Sequence, residues 1–159
     1  MNITVLCVGK LKEAYFRDAV AEYAKRLSRY AVFRTVEVED EKTDENASEK
    51  EALLVLEKEG VRLLSKIPPK AYVIALAIEG KMLDSITLSG KLSSYMNSGR
   101  SDLYFVIGGS LGLSKAVTDR ADEQWSFSKL TFPHQLMRVI LAEQIYRGFR
   151  ILNHEPYHK

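Results

Sequence analysis

Three histidines are the side chains of this sequence best suited to moving a proton near neutral pH, because an imidazole has an unperturbed pKa of about 6.5. They are His134, His154 and His158. His134 follows Pro133 at the start of the last predicted helix, where it can serve a site or simply bond to nearby backbone. His158 has no evident packing purpose, which favours a functional role.

A glycine-rich segment follows one of the apolar stretches of the chain. Residues 103–107 predict a buried strand, and Gly108, Gly109 and Gly112 come directly after it. Glycine permits positive φ and close approach of a ligand to the backbone. The spacing G-G-x-x-G matches neither the dinucleotide fingerprint nor the P-loop, which needs Lys-Ser/Thr directly after its last glycine. The segment therefore predicts a ligand site that does not bind a nucleoside triphosphate.

The elements that must position these residues alternate between strand and helix. Apolar stretches predict strands at 2–8, 36–38, 72–78 and 103–107, and helical periodicity marks the segments between and after them. The helices are expected near 16–30, 49–66, 85–98, 114–123 and 133–149. This alternation predicts an α/β fold with a mainly parallel sheet covered by helices on both faces.

Composition limits the chain to one domain, residues 1–159. The single cysteine, Cys7, lies in an apolar strand and is expected to be a small buried hydrophobe. One cysteine cannot form an internal disulfide, which agrees with a reducing cytosol. Residues 1–8 lack the basic stretch and small-residue cleavage site that predict a secretory signal, and the sequence contains no run of about eighteen apolar residues. We therefore expect a cytoplasmic protein with no membrane partner.

Charge is unevenly distributed although the net charge is only +2. Residues 10–34 carry seven Lys or Arg against three acids, and residues 37–51 carry eight acids. From residue 125 onward the chain is basic again, with five Lys or Arg against two acids. Such runs are often solvated faces, but separated basic segments can also form one patch for a polyanion. Both interpretations stay open for the candidate phosphate contacts, which are Lys10, Lys12, Arg17 and Lys129.

Ligands of parallel α/β sheets bind beyond the carboxyl ends of the strands. Three segments occupy such positions: 76–80, 107–109 and 125–134. The third contains no acid and suits a flat, partly apolar ligand read by main-chain hydrogen bonds. A connection that merely packs is the competing interpretation.

Three stretches together carry a family resemblance. They read FVIGGSLG at 105–112, LTFPHQLMRVILAEQIYR at 130–147 and NHEPYHK at 153–159. With them the chain resembles the small RlmH (YbeA-like) methyltransferases of the SPOUT class. These enzymes methylate N3 of a pseudouridine in the 23S rRNA of the large ribosomal subunit. The resemblance covers essentially the whole length.

The resemblance implies a C-terminal trefoil knot, a homodimer whose active site uses both subunits, and S-adenosylmethionine bound in a bent shape without a metal. A knot departs from the rule that chains do not thread loops. By position, the implied cofactor contacts are Leu76, Gly108, Phe127, Ser128, Lys129, Leu130, Thr131 and Phe132.

The resemblance also places the C-terminal tail beside the cofactor. Tyr157, which can stack on a base or cover apolar surface, and His158 then become catalytic candidates together with His134. Some group must accept the N3 proton or stabilise the anion left behind. His154 is expected to be structural or to face RNA. The implied RNA contacts are Arg138, Lys159, Lys10 and Lys12, and Lys159 stands where some relatives have arginine.

Several alternatives remain open at this stage. Arg138 and Arg147 lie on one predicted helix, and one can serve phosphate while the other pairs with Glu143, which lies four residues before Arg147. A non-enzymatic ribosome- or RNA-binding module is a second class of function. A nucleotide-binding oxidoreductase is disfavoured, because the first strand ends in VGKLK with a single glycine. The substrate can be free rRNA, a subunit or an assembled ribosome.

Overall fold

The computed structural model describes all 159 residues, and its elements alternate as expected. The first half contains β1 (Asn2–Val8), α1 (Ala14–Leu27), β2 (Val32–Val38), α2 (Glu49–Ser65) and β3 (Tyr72–Met82). The second half contains α3 (Ser85–Asn97), β4 (Asp102–Ile107), α4 (Lys115–Arg120), β5 (Glu123–Ser126) and α5 (His134–Leu152). No helix is long and apolar enough to cross a membrane.

The five strands form one parallel sheet in the order β2-β1-β4-β3-β5. Alternate residues of β1 supply two separate cores, as the two-residue period of a strand requires. Ile3, Val5 and Cys7 pack with α1, α3 and α5 on one face. Leu6 and Val8 pack with α2 and α4 on the other. The predicted helix-covered parallel sheet is confirmed.

Cys7 is fully buried, as its place in the apolar strand predicts. Burial raises the pKa of its thiol to about 12, although the nearby Arg138 cation acts in the opposite direction. A thiol in that state is protonated at neutral pH and is a poor nucleophile. Cys7 is therefore a packing residue.

Strand β3 is longer than the predicted 72–78, and two of its residues pair with the same residue of β5. Leu76 and Lys81 are both in register with Trp125, so the four residues between them leave the ladder. Within this bulge, a Cβ on Gly80 would lie 2.7 Å from the carbonyl carbon of Trp125. Only glycine allows the two backbones to pass this closely. The trefoil knot itself stays a prediction of the resemblance.

Helix boundaries follow local capping chemistry. The expected helix near 85 has Asp84 as its N-cap, whose carboxylate accepts a hydrogen bond from the Thr87 backbone N–H at 2.7 Å. Ser114 caps α4 in the same way. Helix α4 ends at Arg120, earlier than the predicted 123, because Glu123 already belongs to β5.

Helix α5 lies directly against α3. A Cβ on Gly148 would lie 2.9 Å from the side chains of Leu88 and Leu92, so glycine permits the close approach. At the same place Ser89 Oγ donates to the Gly148 carbonyl at 2.9 Å. These contacts fix α5, whose first residue is His134, relative to the sheet.

Candidate functional site

A cavity of about 1100 Å³ opens at the carboxyl ends of β3, β4 and β5. Its walls come from the three segments that the sequence predicts, now brought together by strand order. Seven of the eight predicted cofactor contacts line it: Leu76, Gly108, Phe127, Ser128, Leu130, Thr131 and Phe132. Lys129 is the exception, because it is exposed and lies outside the lining.

The glycine loop that forms one wall folds back on itself. Gly112 has φ of +88°, and its N–H donates to the Gly109 carbonyl at 3.1 Å. A Cβ on Gly108 would collide with the Gly112 carbonyl oxygen. These two glycines are therefore required by the loop's own turn, and not only by the approach of a ligand.

The segment 127–132 forms another wall, and most of its backbone groups have no hydrogen-bond partner. Outside the sheet ladder, no backbone–backbone hydrogen bond involves these residues. Ser128 shapes the turn, since its hydroxyl accepts from the Leu130 N–H and its carbonyl accepts from Ser126 Oγ, both at 3.0 Å. Free main-chain donors and acceptors beside apolar side chains suit a flat heterocycle.

Trp125 forms part of the cavity wall and is fully buried. Its ring packs edge-on against Phe105 at 5.4 Å between centroids. Its indole N–H donates to Glu123 Oε1 at 3.3 Å. The same carboxylate also accepts from Lys91 Nζ at 2.5 Å, so the indole is held by a fixed acceptor.

His134 lies on the cavity wall and makes no side-chain hydrogen bond. The predicted alternative, a bond to nearby backbone, is not observed. Burial lowers the pKa of its imidazole, the Arg138 and Lys12 cations lower it further, and Asp40 opposes them. His134 is therefore neutral at pH 7, with a lone pair free to accept a hydrogen bond or a proton.

Arg138 does not face solvent, contrary to its predicted contact with RNA. Its side chain is only 1% exposed, and its Nη1 pairs with Glu37 Oε2 at 2.6 Å. Its Nη2 donates to the carbonyls of Val8 and Gly9 at 3.2 and 2.7 Å. The prediction was wrong because Glu37 lies 101 residues away in the chain and only the fold brings the two together. The predicted pair of Arg147 with Glu143 is confirmed, with 2.5 Å between Nη2 and Oε1.

The C-terminal tail packs on its own helix instead of entering its own cavity. Tyr157 OH donates to Glu143 Oε1 at 3.0 Å, and its ring meets Tyr146 edge-on at 4.9 Å. Burial raises the pKa of Tyr157, and hydrogen bonds add to the effect. His158 Nδ1 lies 3.3 Å from Arg147 Nη1. None of the three predicted tail residues lines the cavity, so within one chain the expected proximity of tail and cofactor is absent.

Four predicted basic residues are exposed and form no ion pair. They are Lys10, Lys12, Lys129 and Lys159. Arg17 differs, because its guanidinium donates to the carbonyls of Leu11 and Lys12. The predicted segment 76–80 also contributes Glu79, the one carboxylate in the cavity wall, to which the sequence pattern assigned no role. Glu79 lies in the β3 bulge, which that pattern does not reveal.

Comparisons with known proteins agree with this geometry. The family model described as "Predicted SPOUT methyltransferase" matches residues 1–158. The chain belongs to this family. It is 55% identical over 159 residues, with complete coverage of both chains, to the "Ribosomal RNA large subunit methyltransferase H" of Bacillus pumilus (strain SAFR-032). The protein of the same name from Clostridium novyi (strain NT) matches at the same identity and coverage.

A solved structure supports the family assignment at the level of fold. It is "a probable methylase family protein from Haemophilus influenzae Rd KW20", with a TM-score of 0.57 at 11% identity. The alignment covers 99% of this chain and 70% of that chain. The two proteins therefore share a fold.

Proposed function

We propose that this protein is a methyltransferase that transfers a methyl group from S-adenosylmethionine to N3 of a pseudouridine in 23S rRNA. The observation that carries the proposal is the cavity at the ends of β3, β4 and β5, in a chain whose full-length relatives are large-subunit rRNA methyltransferases. Ribosomes are cytoplasmic, and the cytoplasm is therefore the compartment that this function requires.

The donor set of the cavity fits S-adenosylmethionine. The unpaired backbone of 127–132 and the apolar side chains of Leu76 and Ile107 would hold the adenine and ribose. Glu79 offers a carboxylate suited to an ammonium group. When bound, the cofactor supplies a methyl group activated by its sulfonium. The chain's own task is then to align the acceptor nitrogen and remove its proton, and alignment alone can contribute about 7–11 kcal/mol.

We infer that His134 receives the proton from pseudouridine N3. The proton would pass from N3 to the free imidazole nitrogen, and the electron pair left on N3 would form the bond to the methyl carbon. The sulfur–methyl bond would break at the same time, with its electron pair kept by the sulfur, so a neutral thioether would be the leaving group. His134 is suited to this because it is neutral, unpartnered and on the cavity wall. His158 already meets a guanidinium at one ring nitrogen, and it is better placed to hold the substrate.

We propose that the C-terminal tail reaches a cavity only in a homodimer, where the cavity belongs to the partner subunit. Tyr157 and His158 lie away from the cavity of their own chain, and the rim of that cavity is apolar and open, with Leu130 70% exposed and Ile78 52% exposed. Covering such residues with a partner is favourable. We propose that the partner subunit covers this rim and brings its tail to the site, together with Lys159.

We propose that exposed basic side chains near the cavity bind the RNA. Lys10, Lys12 and Lys129 are free to contact phosphate, and such contacts position a nucleic acid without reading its bases. These same residues favour the second candidate function, an RNA-binding module without catalysis. Both functions require affinity that falls steeply with salt.

One experiment separates the two functions. The protein is titrated with S-adenosylmethionine by calorimetry and then incubated with tritiated cofactor and large ribosomal subunits. A methyltransferase binds the cofactor and labels 23S rRNA at one pseudouridine. Binding to subunits without cofactor affinity or label transfer would establish the RNA-binding module instead.

A further inference from the structure

Residues 9–12 form a loop between β1 and Glu13, the N-cap residue of α1, and several hydrogen bonds hold this loop. Gly9 has φ of +85°, and its N–H donates to the Val38 carbonyl at 2.8 Å. Arg17 Nη1 donates to the carbonyls of the last two loop residues at 2.9 and 2.8 Å. Backbone groups paired in this way hold the loop in one conformation before it binds a ligand. Little conformational entropy is therefore lost on binding.

The buried pair of Arg138 and Glu37 holds the same loop from the interior. Arg138 Nη2 donates to the Gly9 carbonyl at 2.7 Å, and its Nη1 donates to Glu37 Oε2 at 2.6 Å. That oxygen also accepts from the Leu11 N–H at 3.1 Å. One ion pair therefore touches the loop at its start and at its middle.

The side chains that this loop presents are cationic and free. Lys10 and Lys12 are exposed and form no ion pair. Lys12 is close enough to His134 for its charge to affect the imidazole. His134 and Arg138 are separated by one helical turn of α5, so they lie on the same face of that helix. The loop thus stands beside the cavity with its ammonium groups toward solvent.

We propose that Arg138 is a positioning residue for the RNA substrate: through Glu37 and the backbone of residues 9–12 it places Lys10 and Lys12 against the phosphates that flank the target nucleotide. The inference rests on the proposed function and adds a role for a buried residue that cannot touch RNA. Phosphate contacts set the register of a nucleic acid on a protein. A displaced loop therefore weakens RNA recognition while the cofactor cavity stays intact.

The test variant is Arg138→Met combined with Glu37→Gln, which removes both charges and leaves neither buried alone. Arg120→Met is the matched control, because Arg120 also holds backbone carbonyls, those of Pro68, Pro69 and Ala71, on the far side of the sheet. For each protein we would measure thermal unfolding, cofactor affinity by calorimetry, and kcat and KM with large ribosomal subunits.

The double variant should raise the KM for subunits about tenfold, equivalent to about 1.4 kcal/mol, with cofactor affinity unchanged. Arg120→Met should lower the unfolding temperature and leave that KM as it is. Arg138→Lys keeps the charge but loses the forked donor, so it should raise KM less than the double variant. The Lys variant is also the measurement to use if the double variant does not fold. An unchanged KM in the variants that fold would overturn the proposal.

A second measurement links the effect to the two lysines. Lys10→Gln combined with Lys12→Gln should reduce the slope of log affinity against log salt by about 0.7–0.9 for each phosphate that the protein no longer neutralises. Adding Arg138→Met and Glu37→Gln to the variant that lacks both lysines should weaken RNA binding little further. The effects of substitutions at coupled residues on binding free energy are not additive. Full additivity would overturn the inference. Absence of methyl transfer by the wild-type protein would instead overturn the proposed function, while the binding measurements still test the loop.

Discussion

His134 differs from the other two histidines in combining partial burial, a free lone pair and a place on the cavity wall. His154 lies in an exposed turn with φ of +55°, and His158 contacts the guanidinium of Arg147. A base that removes the N3 proton has to be neutral before the reaction. The lowered pKa of His134 provides that state at neutral pH.

We therefore expect His134→Asn to reduce the rate of methyl transfer by about 10²- to 10⁴-fold, the usual contribution of a general base. Cofactor affinity should change little. In the wild type, kcat/KM should be level above the usual imidazole pKa of 6.5 and should fall as pH drops through the lower pKa of His134. His154→Asn is the control, since asparagine tolerates positive φ. If His134→Asn retained both the rate and the acid limb, another group would be the base.

At the scale of the element, the glycine loop after β4 has to make a tight turn before it can line a cavity. A Cβ on Gly108 would meet the Gly112 carbonyl, while a Cβ on Gly90 of α3 would meet no atom within 4 Å apart from its chain neighbours and its own helix backbone. There is therefore no room for a side chain at Gly108, whereas there is room for one at Gly90.

Gly108→Ala should force the loop open, destabilise the fold by about 1–3 kcal/mol and abolish measurable cofactor binding. Gly90→Ala should change the free energy of unfolding in the opposite direction. It should stabilise the fold by up to about 1 kcal/mol, because alanine is the better helix former. Thermal unfolding and calorimetric titration of both variants would check the contrast. Normal cofactor affinity in Gly108→Ala would exclude the loop from the site.

Local pattern was sufficient to predict the five helices, four of the five strands and most of the cavity wall, but it did not predict β5. Strand apolarity and glycine spacing are properties of neighbouring residues, so β4, its loop and the segment 127–132 could be located from the sequence. Arg138 could not, because its partner lies on a distant strand. The β3 bulge that contributes Glu79 was also missed, since a register shift depends on how close Gly80 comes to β5.

At the scale of the whole molecule, the cavity and the C-terminal tail of one chain lie apart. The cavity has its wall and its neutral histidine, but Tyr157 and His158 are held elsewhere by Glu143 and Arg147. A two-fold dimer repeats each contact twice, so each cavity would meet one tail from the partner. A site shared between two subunits therefore predicts a result that a site formed within one chain does not.

Mixing a chain carrying Gly108→Ala with a chain lacking residues 157–159 should restore activity, although each is inactive alone. Random exchange into two-fold dimers gives one complete site in each mixed dimer, which is about a quarter of the wild-type activity. Equal mixtures, allowed to exchange subunits and assayed with tritiated cofactor, measure this directly. No recovery after verified exchange would mean that the tail acts on the cavity of its own chain.

The order of the strands in space differs from their order in synthesis, and this has a consequence for how the chain folds. Strand β4 lies between β1 and β3, yet it begins at residue 102, after both of them. Until β4 is made, β1 can pair only with β2, and β3 has neither of its neighbours in the sheet. Pairing across such sequence distances is slow and leaves edges open to aggregation. The glycine loop follows β4 directly and the segment 127–132 comes later still, so the ligand cavity cannot form before the sheet is joined.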